Sequence, residues 1–325
     1  MDEDLERTLG ACAEAFGLGE VHGCHAMRTE VWRAPSFRVS AGEGDWVLEA
    51  FDCEWFPLRY VSYLTGYVRA LASQGLAPEL RATREGSPFW EAAAGGKAYR
   101  VVCREWVPGR TCDGTEWDNA YLTAVGTLLA KMHTVGANWS PPAPQPAWNF
   151  TVSASEACAH AQDWPLGEGA VLRLLREGAR VTDQRLARLL ARKDLHGPIH
   201  ADCWDGNLIE TGDRLVAVDF EGCGIGPRAY DLAVWYYAVD AWRLPDRAER
   251  FARVVSGYER HVPIEPAEMA AIPYLAALRR FWFLEGEARR WQEGRQDLAA
   301  FRLHVEDHAK AVERLVLGGG HPPGA

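Results

Sequence analysis

The sequence predicts an α+β protein of two lobes, in which a small antiparallel sheet comes first and a larger, mostly helical part follows. Two observations support this fold class. Segments in the first hundred residues are short, rich in β-branched or aromatic residues and separated by Pro or Gly, which is typical of strands. After Pro108-Gly109, apolar residues recur at helical spacing over long segments. A chain of 325 residues is long enough for two such units.

The first lobe is predicted to contain one helix at its start and one inside it. Residues 4–16 carry apolar side chains at helical spacing. A second helix is expected to begin at Pro57 and to end near Ser73, just before Gly75. The strands are expected at residues 31–33, 36–40, 45–51, 80–83 and 98–106, with a hairpin turn at 41–44.

The second lobe is expected to begin after residue 107, so that residues 1–107 and 108–317 form two domains. Amphipathic segments predict helices over residues 117–133, 172–190 and 275–291. A proline-rich loop is expected at 140–147. The glycine- and proline-rich residues 318–325 are expected to form a disordered tail.

Composition and charge exclude several classes of protein. Hydrophobic residues make up 48% and charged residues 25% of the chain, which is a globular composition. The net charge is −10, so neither nucleic acid nor an anionic membrane is an expected partner. The longest apolar run, Leu232–Val239, is far shorter than the roughly 18 residues that a membrane span needs. The acidic start at Met1-Asp2-Glu3-Asp4 does not have the pattern of a secretory signal.

The eight cysteines indicate a reducing compartment. None of them forms a Cys-x-x-Cys pair, and in a chain with this much apolar sequence they are expected to be reduced thiols. We therefore expect a cytoplasmic protein. The segment His22-Gly23-Cys24-His25 fits no zinc signature, so a structural interpretation is preferred over a metal site.

The residues between 199 and 222 carry the polar side chains that indicate chemistry. This segment has the pattern of a loop, a short strand, a tight turn and a second strand. Asp202 and Asn207 lie on the loop, and Asp219 ends the second strand. Because a hairpin returns the chain to its starting edge, three side-chain oxygens are expected to converge on one site.

These side chains are the set that phosphoryl transfer requires. One carboxylate can orient an acceptor hydroxyl and take its proton, while Asn and Asp oxygens are ligands that suit Mg²⁺. The order His200-Ala201-Asp202, four residues, Asn207, and later Asp219-Phe220-Glu221 matches the spacing of a kinase catalytic loop and metal-binding segment. A purely structural alternative, in which Asp202 and Asn207 only make turn hydrogen bonds, is less favoured.

With its surroundings, this segment resembles the aminoglycoside phosphotransferase and choline kinase superfamily, which has a protein-kinase-like fold. The similarity is greatest to the homoserine-kinase-like and spore-coat-kinase-like branches, and it covers most of the chain. Further segments that resemble family motifs are the linker over the adenine at Glu105–Arg110, the helix end at Leu128–His133, the segment Gly226–Ala233 and the pair Gly257-Tyr258.

The resemblance implies a role for each polar residue of the catalytic segment. Asp202 would be the catalytic base, and Asn207 and Asp219 would bind Mg²⁺. His200 and Asp231 would support the loop through hydrogen bonds and take no part in the chemistry.

The resemblance also implies where the cofactors bind. ATP would be the donor, with Glu105 and Val107 of the linker beside its adenine. Residues 1–107 would then form the nucleotide-binding lobe, and residues 108–317 the catalytic and acceptor-binding lobe.

One position departs from the family pattern. The family has a lysine on its third strand that binds the phosphates, but Glu49 stands at the corresponding position here. Strand alternation places Glu49 on the face of the cleft, where a carboxylate repels phosphate. Residues 57–74 contain no acidic residue but do contain Arg59 and Arg69. One interpretation is therefore an exchange of charges, in which Glu49 pairs with Arg59 or Arg69 and that arginine binds the phosphates.

Three functional interpretations follow from the sequence. The favoured one is ATP- and Mg²⁺-dependent phosphorylation of a hydroxyl of a small molecule, such as an amino-sugar, an amino alcohol or a hydroxy-amino acid. A second keeps the chemistry but takes a peptide Ser or Thr as acceptor, so that a peptide or protein would be the partner. A third is a pseudokinase scaffold, because Glu49 replaces the lysine. The complete set of Asp202, Asn207 and Asp219 favours an enzyme over a scaffold.

Overall fold

The computed structural model describes residues 3–28, 34–42, 44–141, 153–159, 164, 169–212, 214–243 and 246–318. Several sequence predictions fall outside these residues: the strand at 31–33, position 43 of the hairpin turn, most of the loop at 140–147 and the tail after residue 318. None of the described helices is both long enough and apolar enough to cross a membrane.

A six-stranded antiparallel sheet occupies the first part of the chain, as the sequence predicts. The strands are β1 (Val21–Arg28), β2 (Ser36–Ala41), β3 (Gly44–Asp52), β4 (Leu80–Arg81), β5 (Trp90–Ala94) and β6 (Lys97–Glu105). They follow the order β1-β2-β3-β6, and both β4 and β5 pair with β6. The sequence prediction includes neither β1 nor β5, because β1 is largely polar and β5 is built on alanines, which have low strand propensity.

The segment His22–His25 lies within β1. Across the described ranges, no group of three or more His, Cys, Asp or Glu side chains is placed to hold a metal ion.

The two faces of the sheet have different environments. Helix α1 (Glu3–Ala15) contributes Cys12 to a small apolar core that includes Leu48 and Ala50 of β3. Alternate residues of β3 point the other way, and Glu49 and Phe51 line a cleft on that side. Period-2 alternation thus separates an apolar face from a face that borders the site.

Helix α2 (Leu58–Ala72) begins directly after Pro57 and packs in the larger apolar core, which joins the helices to Phe51 of β3 and Val102 of β6. Its buried face carries tyrosines that join the larger apolar core rather than the small core under the sheet. The Tyr60 hydroxyl lies 2.5 Å from the carbonyl oxygen of Glu221 and 3.0 Å from that of Cys223, and it shares its proton between them. Helix α2 is therefore attached directly to the segment that follows Asp219.

The rest of the chain is mostly helical, with two short antiparallel strand pairs, β7 with β10 and β8 with β9. The predicted helices are present, and most extend beyond their predicted ends. The elements are α3 (Asn119–Asn138), α4 (Ala154–Ala157), α5 (Ala170–Ala191), β7 (His196–Ile199), β8 (Leu208–Thr211), β9 (Arg214–Ala217), β10 (Gly224–Pro227), α6 (Ala229–Ala241), α7 (Arg247–Glu259), α8 (Pro266–Gln292) and α9 (Leu298–Val312).

Two glycines let α3 and α7 cross in direct backbone contact. A Cβ atom on Gly126 would lie 1.9 Å from the carbonyl oxygen of Val254, and one on Gly257 would lie 2.1 Å from that of Thr123. No other residue fits at either position. This close approach brings the end of α3 and the end of α7 together beneath the loop that carries Asp202.

Candidate active site

The loop after β7 holds Asp202 with a fixed carboxylate. Its Oδ1 accepts a hydrogen bond from Nη2 of Arg279 at 2.5 Å, and its Oδ2 accepts one from Nδ2 of Asn207 at 3.1 Å. Arg279 comes from α8 and its side chain is only 6% exposed, whereas that of Asp202 is 24% exposed. Asp202 is thus anchored from inside the helical core and still reaches solvent.

The hairpin of β8 and β9 brings Asn207 and Asp219 together. Leu208 pairs with Ala217, and the N–H of Val218 donates to the carbonyl oxygen of Asn207 at 3.0 Å. Asn207 and Asp219 both line a cavity of about 450 Å³ between the sheet and the helical part. Since Asn207 also contacts Asp202, the structure places the three sequence-predicted residues in one neighbourhood.

A buried carboxylate, Asp231 at the start of α6, supports this loop from below. It accepts hydrogen bonds from the backbone N–H groups of His200, at 3.0 Å, and Ala201, at 2.8 Å. His133 at the end of α3 approaches the same carboxylate at 3.0 Å, and its other ring nitrogen lies 2.7 Å from the hydroxyl of Tyr258. Burial alone would raise the pKa of Asp231, but the contacts with His133 and His200 outweigh burial and lower it.

His200 connects the loop to β9 and lies away from the cavity. Its Nε2 donates to the carbonyl oxygen of Val218 at 3.0 Å, and its Nδ1 accepts from the N–H of Asp202 at 3.3 Å. These partners match a ring that carries its proton on Nε2. The ring is fully buried, so it orients the loop and cannot contact an acceptor.

Two residues beside the site adopt the left-handed backbone conformation that non-glycine residues rarely take. The φ angle is 67° at Ala201 and 65° at Asp219. Each costs about 1 to 2 kcal/mol relative to an ordinary conformation. The hydrogen bonds from Ala201 to Asp231 and from Val218 to Asn207 hold the chain in place on either side of this strain.

The sheet forms the opposite wall of the cavity and contains an ion pair that the sequence prediction missed. Nε of Arg104, on β6, lies 3.0 Å from Oε1 of Glu49, on β3, and both residues line the cavity. The prediction that Glu49 pairs with Arg59 or Arg69 is therefore wrong. Helix α2 turns its tyrosine face inward, so Arg59 and Arg69 are exposed on its outer face, and neither is among the described residues that line the cavity.

The linker after β6 contributes Trp106 and Val107 to the cavity lining. Glu105 is placed differently: its carboxylate accepts a hydrogen bond from the backbone N–H of Glu79 at 3.2 Å, and it is not among the described lining residues. Of the two linker residues expected beside the adenine, the structure brings Val107 to the cavity and not the side chain of Glu105.

The missed residues left only weak signals in the sequence. Arg104 shares a strand face with Val102, next to the recognised linker, so alternation alone would place it on the cleft side. Arg279 lies in a long Arg-rich helix, and nothing in its spacing separates it from surface arginines such as Arg289. A contact across 77 positions of the chain cannot be read from local pattern.

Solved structures with the same fold confirm its class. A structure of an amicoumacin kinase with AMP-PNP and Ca²⁺ superposes with a TM-score of 0.79 at 19% identity, covering 96% of this chain and 93% of that one. A microcompartment-associated aminopropanol kinase superposes with a TM-score of 0.74, also at 19% identity, covering 94% and 95% of the two chains. These similarities show that the chain has a protein-kinase-like fold.

Sequence comparison identifies the family. The homoserine kinase of Methylobacterium radiotolerans is 35% identical over 292 residues, which cover 85% of this chain and 84% of that protein. The homoserine kinase of Gluconobacter oxydans is 28% identical over 291 residues, covering 85% of both proteins. The model of the phosphotransferase enzyme family matches residues 29–272. The chain therefore belongs to this family and is a phosphotransferase whose acceptor group is a hydroxyl.

Proposed function

We propose that this protein catalyses ATP- and Mg²⁺-dependent phosphorylation of a hydroxyl of a small molecule, with a hydroxy-amino acid favoured over an amino alcohol or an amino-sugar. One observation carries the proposal: Asn207 contacts Asp202 through its side chain and lines the same cavity as Asp219. Two oxygen ligands then line one cleft, and the base contacts one of them although it is not itself among the described lining residues; phosphoryl transfer needs this combination of groups.

The oxygen ligands suit Mg²⁺. Nδ2 of Asn207 donates to the backbone and carboxylate oxygens of Asp202, so the amide presents Oδ1 as its ligand atom. The carboxylate of Asp219 is the second ligand. Mg²⁺ commonly takes one or two protein carboxylates and completes its shell with water and phosphate, so two protein ligands are enough. When bound, Mg²⁺ would offset negative charge on the phosphates of ATP.

Asp202 is assigned as the base that orients the acceptor hydroxyl and takes its proton. Its carboxylate accepts from Arg279 and Asn207 at once, and its exposed fraction leaves room for an acceptor. Arg279 acts as a positioning residue, since it touches Asp202 from the buried side. The adenine of ATP is assigned to Trp106 and Val107, which line the same cavity from the linker after β6.

Two observations support a hydroxy-amino acid as the acceptor. Homoserine kinases match most of this chain, at up to 35% identity. The catalytic carboxylate is also neutralised by the buried Arg279, so this pair adds no net negative charge at the acceptor end. A zwitterion of zero net charge suits that balance better than a polycationic amino-sugar does.

The test combines a binding measurement with an acceptor panel. Wild-type protein is expected to bind MgATP in isothermal titration calorimetry, and Asp219→Ala is expected to lose that binding because one of two metal ligands is gone. Asp194→Ala, an exposed aspartate paired with Arg192, is the matched control and is expected to bind as wild type does. Phosphorylated product is then sought by ³¹P NMR with homoserine, 1-amino-2-propanol, choline and an aminoglycoside. MgATP binding that survives in Asp219→Ala, or no product from any of the four, contradicts the proposal.

A further inference from the structure

The sheet wall of the cavity carries a pair of opposite charges on neighbouring strands. Strands β3 and β6 are antiparallel, with Glu49 opposite Val102 and Val47 opposite Arg104. Glu49 and Arg104 are therefore diagonal neighbours on the same face of the sheet, and their side chains meet at 3.0 Å. Both border the cavity that Asn207 and Asp219 line from the other side.

Both partners are largely withdrawn from solvent. The side chain of Arg104 is 10% exposed and that of Glu49 is 14% exposed, so the pair is screened by water much less than a surface ion pair. The contact with Glu49 uses Nε of the guanidinium. The two Nη groups carry four further N–H donors in a planar fork, a geometry that matches a phosphate group.

The charge balance of the cavity requires a cation on this wall. Glu49, Asp219 and Glu221 all border the cavity and would repel a triphosphate, which stays negative after one divalent cation has bound. The arginines among the described lining residues are Arg104 and Arg110. Arg110 is 58% exposed and is engaged by Glu116 and Glu210 at the rim, so Arg104 is the interior candidate.

We propose that Arg104 binds the phosphate groups of the nucleotide and that Glu49 orients its guanidinium. In the family that the sequence resembles, a lysine on β3 binds the phosphates. Here the cation that binds them would come from β6, and the glutamate stands on β3. This inference rests on the proposed binding of ATP, and it assigns a phosphate ligand that sequence comparison would not find, because the lysine position itself holds a glutamate.

The experiment compares the affinities for MgATP and for adenosine, which lacks phosphates, by isothermal titration calorimetry. Arg104→Met is expected to weaken MgATP binding about 10- to 100-fold, the loss of a charge-assisted hydrogen-bond pair, and to leave adenosine binding unchanged. Arg104→Lys keeps the charge but loses the planar fork, so its affinity for MgATP is expected to lie between those of wild type and Arg104→Met. The matched control is Arg100→Met, since Arg100 lies on the same face of β6, is 15% exposed and pairs with Glu91, but is not among the described lining residues. It is expected to bind MgATP as wild type does.

Two further variants keep the test decisive if an unpaired Glu49 disturbs folding. The double variant Glu49→Gln/Arg104→Met removes both charges and is expected to bind adenosine normally and MgATP weakly. The swapped variant Glu49→Lys/Arg104→Glu restores the pair with the cation on β3 and is expected to recover MgATP affinity to within about fivefold of wild type, because a strong charge-assisted contact is regained.

The outcomes separate this inference from the proposed function. If the wild type binds MgATP and Arg104→Met binds it with the same affinity, the role of Arg104 is overturned and the kinase proposal stays intact. If Arg104→Met loses affinity for MgATP and for adenosine to the same extent, Arg104 has a packing role, and its role as a phosphate ligand is overturned. No binding of MgATP by the wild type, with an intact fold by circular dichroism, overturns both proposals.

Discussion

The two walls of the cleft meet different physical requirements. On the helical wall, Asp202, Asn207 and Asp219 follow the family pattern and are held by hydrogen bonds that lead back to Asp231. On the sheet wall, Glu49 stands where the family has a lysine and pairs with Arg104. Proton transfer and metal binding need particular oxygen atoms within a few tenths of an ångström. Offsetting phosphate charge needs only a cation at the right distance, which more than one strand can supply.

The largest expected effect tests whether Asp202, on the helical wall, controls the rate of phosphoryl transfer and not the affinity for the nucleotide. Asp202→Asn removes the proton acceptor while keeping the shape of the side chain, so the turnover number is expected to fall about 10²- to 10⁴-fold. The dissociation constant for MgATP is expected to stay within about twofold of wild type, since Asp202 is not assigned as a nucleotide ligand. Steady-state kinetics with the best acceptor of the panel and calorimetry measure the two quantities. A parallel loss of MgATP affinity and turnover in Asp202→Asn would contradict the assignment of Asp202 as a base that does not bind the nucleotide.

The second effect tests how far the helical wall depends on one buried group. In Asp231→Asn, an NH₂ group replaces one of two oxygens and faces a backbone donor, and the pair with His133 is lost. The free energy of unfolding in urea is expected to fall by about 3–5 kcal/mol. Asp307→Asn, at an aspartate that is 44% exposed, is the control and is expected to change it by less than about 1 kcal/mol. Similar small changes in both variants would show that Asp231 does not hold the loop.

The third effect concerns the anchor of Asp202 in α8. Arg279→Lys keeps the positive charge but loses the second arm of the guanidinium, which also reaches toward the carbonyl oxygen of Ala201. The turnover number is expected to fall about 10- to 100-fold because the base is less well oriented, while the KM for ATP stays unchanged. A lower melting temperature that accounts for the loss of activity would instead indicate a role in folding alone. The melting temperature is therefore measured together with the kinetics. Arg289→Lys, on the exposed part of the same helix, is the control.

The smallest expected effect is a pH dependence of the free energy of unfolding, which comes from a histidine in the helical part and not from the sheet wall. His308 on α9 is buried, and its burial lowers its pKa to about 4. The positive charges of Arg280 and His304 lower this pKa further, while the negative charges of Glu287 and Asp307 oppose the shift. Because the unfolded chain binds this proton near pH 6.5 and the folded chain does not, stability is full above pH 6.5 and falls as the pH drops toward 4. Between pH 7.5 and pH 5 the loss is expected to be about 2 kcal/mol.

Replacement of this histidine checks the assignment. His308→Gln is expected to flatten the fall in unfolding free energy between pH 7.5 and pH 5, whereas His261→Gln, at an exposed histidine, is expected to leave it as in wild type. If His308→Gln shows the same fall as wild type, another group carries the pH dependence.

Much of the helical wall could be predicted from the sequence because its chemistry is local. Asp202 and Asn207 are five positions apart, and a tight hairpin returns Asp219 to them, so loop and strand patterns were enough to place all three together. The fold class followed for the same reason, since alternating and helical periodicities change at Pro108.

The sheet wall could be predicted only in part because its key contact joins distant positions. Alternation placed Glu49 on the cleft, but its partner lies 55 positions later on a strand that pairs with β3 only after the chain has folded. Arg59 and Arg69 are nearer in sequence, yet the tyrosines of α2 determine which face of that helix is buried and leave both arginines outside. Sequence separation was therefore a poor guide to charge pairing here.

The attachment of Tyr60 to the Glu221 and Cys223 carbonyls has a consequence for motion. By chain order α2 follows the strands β1–β3, but its hydrogen bonds and its tyrosine core tie it to the other side of the cleft. The helix is also held to the sheet, because the ring of Phe56, just before α2, packs edge-on against Phe51 of β3 at 5.1 Å and against Tyr60 at 5.5 Å. A change in the width of the cleft would therefore have to strain one of these two attachments of α2.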